Sequence, residues 1–169
     1  MTDKRLISAL DFHTMEEVQT LVNKLGDSVS YYKVGMELFY SVGGEVVTWL
    51  RAQGKEVFLD LKLHDIPNTV ASGLCSLMEL EPTMLNVHAS GGYTMMKTAA
   101  DRLHEEAERR GISCPKLIAV TVLTSIDKDD WNHMGQSLPI KSTVVRWALL
   151  ARKAGLDGVV ASPQEAAFI

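Results

Sequence analysis

The chain has 169 residues, the size of one ordinary domain, and its 46% hydrophobic and 22% charged composition excludes disordered, collagen-like and low-complexity classes. Lys and Arg number 17 against 21 Asp and Glu, a net charge of -4, so no global basic field draws nucleic acid or anionic lipid, and a small anionic ligand needs a local site. Cys75 and Cys114 stand far apart with no CxxC pair or histidine cluster, which argues against a disulfide framework and a structural zinc site. No run of about 18 apolar residues occurs and MTDKRLISALDF has no cleavage pattern, so a cytoplasmic protein is expected.

In chain order, the first predicted strand is RLISALD at 5–11, closing on Asp11, with a helix in TMEEVQTLVNKLG after it. YYKVGME at 31–37 is the second strand and carries Lys33, and GGEVVTWLRAQG reads as helical. EVFLDLK at 56–62 is the third, holding Asp60 and Lys62; His64-Asp65-Ile66-Pro67 then leads to a helix in TVASGLCSLMEL. MLNVHA at 84–89 is the fourth, with His88 at its end, followed by the helical TMMKTAADRLHEEAERRG. In that helix Met95 and Met96, like Met84 before it, read as core, and Glu105, Glu106, Glu108, Arg109 and Arg110 as a solvated face. KLIAVTVL at 116–123 is the fifth strand, with Thr124 just beyond it, and IKSTVVRWALLARKAG is helical. GVVASP at 158–163 is the sixth, and QEAAFI reads as the first turn or two of another helix.

Units of about 30 residues alternating strand and helix build a parallel sheet, because a crossover helix must return the chain to the same end of the next strand. An open doubly wound sheet and a closed (β/α)8 TIM barrel both satisfy that pattern. Functional-looking side chains at the ends of almost every strand favour the barrel, whose site draws on many strand ends, and neither GxGxxG nor GxxxxGK[ST] is present. A (β/α)8 barrel takes eight strands and about 200 to 250 residues. Residues 1–169 are therefore expected to form a single barrel domain truncated after about six βα units, with the two C-terminal units missing.

The segment Phe58-Leu59-Asp60-Leu61-Lys62-Leu63-His64-Asp65-Ile66-Pro67-Asn68-Thr69 is the most informative. Strand alternation places Asp60 and Lys62 on one face and Leu59, Leu61 and Leu63 on the other. Parallel strands are usually continuous apolar runs, and burying an ion costs several kcal/mol unless it is well paired. A buried Asp60–Lys62 pair that only sets strand register is one reading. The other is a functional network with Lys33, about 4.8 Å away on the neighbouring strand, and Asp65 on the loop. Such alternation has zero formal charge, holds carboxylates low, and keeps a proton donor in place. Pro67 should push Ile66 to an extended conformation and end regular structure. His88 lacks a matching nucleophile and reads as structural or supporting.

ALDF at 9–12, KVGMELF at 33–39, FLDLKLHDIPNT at 58–69, NVHASGG at 86–92 and AVTVLTS at 119–125 together resemble the orotidine 5'-phosphate decarboxylase family of the bacterial type. The resemblance runs along the whole chain in order. It implies a (β/α)8 barrel, a homodimer with active sites at the subunit interface, a nucleotide substrate, and no metal or organic cofactor. It makes Lys62 the acid that protonates C6 of the pyrimidine as carbon dioxide leaves, with Asp60 beside the departing carboxylate. Lys33 would bond both the network and the ribose, and Asp11 a ribose hydroxyl. Asp65 and Thr69 would reach into the partner's site, while Thr124 and Ser125 would read the pyrimidine edge.

The family's phosphate-gripping residues, a Pro-Gly-Ile-Arg segment, a glutamine and a later Gly-Arg pair after the seventh and eighth strands, have no counterpart in the chain. A truncated decarboxylase with little or no turnover is the resulting expectation. Two other readings compete. Magnesium-dependent sister barrels of the keto-gulonate phosphate decarboxylase or hexulose phosphate synthase type share an Asp-x-Lys-x-x-Asp strand, although the HDIPNT continuation argues against them. A non-catalytic remnant that keeps only the dimer surface is the third.

Overall fold

The computed structural model describes residues 3–169. Six strands, β1 (Ser8–Leu10), β2 (Tyr31–Gly35), β3 (Glu56–Leu63), β4 (Met84–His88), β5 (Lys116–Val120) and β6 (Gly158–Val160), form one sheet. Every neighbouring pair is parallel and the order is β1-β2-β3-β4-β5-β6. That order settles the choice left open above. A doubly wound sheet reverses its strand order at a switch point, whereas a (β/α) barrel adds each strand beside the last.

Seven helices accompany the strands: α1 (Met15–Leu25), α2 (Met36–Val42), α3 (Glu45–Ala52), α4 (Pro67–Leu77), α5 (Gly92–Arg110), α6 (Lys128–His133) and α7 (Ile140–Ala154). Thr14 and Glu17 start α1 with a reciprocal capping box, which satisfies amides the first turn leaves free. Gly111 and Gly155 end α5 and α7 in the left-handed conformation that favours glycine. Two helices depart from the sequence reading. α2 begins directly after Gly35, where strand YYKVGME was expected to run on to residue 37, because apolar Met36 continues the strand's pattern. α6, capped by Asp127, is six residues long and too short to show a helical period. The QEAAFI segment forms successive turns instead of a helix.

The two faces of the sheet divide the chemistry. Leu10, Val34, Leu59, Leu85 and Leu117 are in register across five strands, and all are buried beneath the helices. Their neighbours one position away belong to the opposite face: Lys33 and Gly35, Phe58 and Asp60, Met84 and Asn86. The first row builds the core, and the second carries Lys33 and Asp60. Met95 and Met96 are fully buried in the core, as expected, while Glu106 and Arg110 are not simply solvated. Arg110 bridges Glu106 on its own helix and Glu79 in the turn after α4, at 2.6 and 2.7 Å.

Candidate active site

The site is assembled by an irregularity in β3. Leu59 registers with Leu85 and Leu63 with Val87, so three residues of β3 stand opposite the single Asn86 of β4. The extra length bends the strand and brings Asp60 and Lys62 together over one point. Lys62 takes φ 52°, a left-handed conformation rare for a residue with a side chain and typical of functional strain. Its amide donates to Asn86 Oδ1 at 2.8 Å in place of a ladder carbonyl.

Four charges follow from this placement. Lys62 Nζ lies 2.7 Å from Asp60 Oδ1, and Lys33 Nζ lies 3.6 Å from Asp60 Oδ2 and 3.5 Å from Asp11 Oδ1. Asp11, Lys33, Asp60 and Lys62 therefore make a chain of alternating sign from β1 to β3. Asp60 is nearly buried, whereas Asp11 is open to solvent. Burial opposes ionisation of Asp60. The bonds from Lys62 and Asn86 and the charges of Lys62 and Lys33 outweigh it and hold the carboxyl below its ordinary range.

Asp65 stands apart from the other three charges of the expected network in this chain. It sits on the short loop between β3 and α4, exposed, and its Oδ1 accepts from the amide of Ile66 at 2.6 Å. Asp11 takes the fourth place instead. Ile66 is extended, as the following proline requires, but Pro67 opens α4 at its first turn instead of ending regular structure, because a proline has no amide to lose there. Thr69 lies exposed on that turn. Thr124 and Ser125 form an exposed turn beyond β5, and among the described residues neither bonds to the charged cluster.

Asn86 is the participant that sequence reasoning passed over. It is fully buried and its Nδ2 donates to Asp60 Oδ1 at 2.6 Å. The available signal was a carboxamide inside the apolar run of a parallel strand. His88, at the end of the same strand, packs against His64 with the rings 5.2 Å apart and tilted by 40°. Burial, then His64 and Lys62, push its pKa below 6.5, which keeps the ring neutral and suits a supporting role.

The chain matches the family described as orotidine 5'-phosphate decarboxylase / HUMPS over residues 4–169. An orotidine 5'-phosphate decarboxylase of Carboxydothermus hydrogenoformans is 46% identical over 166 residues, 98% of this chain and 69% of that protein. One from Moorella thermoacetica is 46% identical over 162 residues, 95% of this chain and 64% of that protein. A crystal structure of orotidine 5'-phosphate decarboxylase from Lactobacillus acidophilus superposes with TM-score 0.87 at 46% identity, covering 95% of this chain and 72% of that one. The chain thus spans about two thirds of the length of these curated relatives.

Proposed function

The chain belongs to the orotidine 5'-phosphate decarboxylase / HUMPS family, and from that premise we propose that it decarboxylates orotidine 5'-monophosphate to uridine 5'-monophosphate in pyrimidine synthesis. The observation that carries the reading is the Lys62 ammonium held 2.7 Å from a buried carboxylate and backed by a second lysine. When the bond from C6 to the carboxylate breaks, carbon dioxide leaves and the electron pair stays on a vinylic carbon with no attached sink. Lys62 stabilises that pair by its charge, then forms the C6–H bond by giving up a proton, which solvent returns to the amine. Unit charges about 4 Å apart interact by about 4 kcal/mol at an effective dielectric near 20, so Asp60 both anchors Lys62 and repels the departing carboxylate. Lys33 and Asp11 lie along the same edge and hold the ribose.

Asp65 and Thr69 act in the partner subunit of a homodimer. The exposure of Asp65 on the loop after β3 and of Thr69 on the first turn of α4 supports this, as do exposed Tyr40 and Ile66 nearby, which a second copy would cover. Remote phosphate contacts convert binding energy into rate at the reacting carbon.

The experiment follows the ultraviolet absorbance of orotidine 5'-monophosphate with protein of verified 18.6 kDa mass, beside Lys62→Ala and with EDTA. Turnover that Lys62→Ala abolishes and EDTA leaves alone is the expected result. Loss on chelation would move the chain to the metal-dependent sisters, and no turnover at all would overturn activity for this length.

A further inference from the structure

We infer that Asn86 is the positioning residue of this site, its carboxamide setting both the orientation of the Asp60 carboxylate and the backbone from which Lys62 acts. The catalytic consequence rests on the decarboxylase reading above, while the geometry does not. The β3 irregularity leaves three residues facing one, and that one is Asn86. A ladder cannot pair three residues with one, so a side chain must supply what the backbone lacks.

Asn86 supplies two bonds of opposite polarity. Its Oδ1 accepts from the Lys62 amide at 2.8 Å, and its Nδ2 donates to Asp60 Oδ1 at 2.6 Å. The orientation is unambiguous, since the amide is only a donor and the carboxylate only an acceptor. The first bond holds the Lys62 backbone at φ 52°, a conformation costly for a residue with a side chain. The second shares Oδ1 with Lys62 Nζ and leaves Oδ2 toward Lys33, so the carboxylate has one orientation instead of a freely rotating pair. A carboxamide does both, whereas an ionised aspartate presents two acceptors and an apolar residue presents nothing.

Asn86 is fully buried, so it acts through Asp60 and Lys62. The charged or titratable groups around Asp60 are Lys62 on its own strand, Lys33 from β2 with Asp11 beyond it, and His88 from β4.

The test combines nuclear magnetic resonance with kinetics on the whole chain. In the unmutated protein, the Asn86 Nδ2 resonance is expected to shift with a midpoint equal to that of the Asp60 carboxyl carbon. Asn86→Asp keeps the acceptor for Lys62, so that amide should stay protected from hydrogen exchange while the midpoint of Asp60 rises. Asn86→Ala should lose both effects. In turnover, each variant is expected to lower kcat by about 100-fold with KM little changed, the size of a misplaced catalytic group, and to move the acid limb to higher pH. An Asn86 resonance that ignores the Asp60 titration, or Asn86→Asp with an unmoved Asp60 midpoint, overturns the inference. Wild-type protein that does not turn over overturns activity for this length instead, and leaves the inference to the resonance measurements, which need no substrate.

Discussion

Asp60 and His88 both titrate low in the folded chain, for opposite reasons. Asp60 is held as a carboxylate by Lys62, Asn86 and Lys33 against the effect of its burial, and His88 is held neutral mainly by burial. A depressed carboxyl contributes stability that is present above its unfolded pKa of 3.8 and lost as pH falls through the folded value. A depressed histidine acts in the same direction: below 6.5 the unfolded chain takes up a proton that the folded chain refuses, and stability falls. The urea midpoint of the wild type should therefore begin to decline below pH 6.5, and His88→Gln should flatten that part of the curve. An unchanged decline in the variant would assign it to another group.

At the level of elements, the strands and helices are held by different kinds of contact. The registered row Leu10, Val34, Leu59, Leu85 and Leu117 is buried on every member. Leu85→Ala should cost roughly 2 to 5 kcal/mol in equilibrium unfolding, the range for a truncated core leucine. Thr14 is exposed and contributes through the capping box at the start of α1. Thr14→Ala should cost only about 1 kcal/mol, measured in the same way. A result in the reverse order would mean that helix starts, and not the sheet, set the stability of this fold. Strands were easy to find in the sequence because each is a short apolar run with turn residues around it. α2 and α6 were not, because one inherits the apolar pattern of its preceding strand and the other has fewer than two turns.

For the whole molecule, the proposed dimer turns on Asp65. Asp65 forms no ion pair with the charged cluster among the described residues and faces outward beside Thr69 and exposed Ile66. If it serves the partner's site, Lys62→Ala and Asp65→Ala should each be inactive alone. Mixing them after dissociation should restore about a quarter of wild-type turnover, because half the two-fold dimers are mixed and each has one intact site. No recovery would place Asp65 in the service of its own subunit. The sheet itself is bounded by β1 and β6 among the described residues, and strands at an edge have one unpaired row of backbone groups.

The alternation of strand and helix, the choice of Asp60, Lys62 and Lys33, and the family resemblance were all determined by the sequence, because each depends on residue type and local spacing. The strand order that excludes a doubly wound sheet, the place of Asp11 in the charge chain, the outward turn of Asp65 and the two-ended role of Asn86 were decided only by the tertiary structure. Local spacing assumes a regular strand, with one partner for each residue. Here β3 sets three residues against one, and nothing in the order DLK states that irregularity. It exists only once β4 lies alongside, since an irregular register is a property of two strands and not of one.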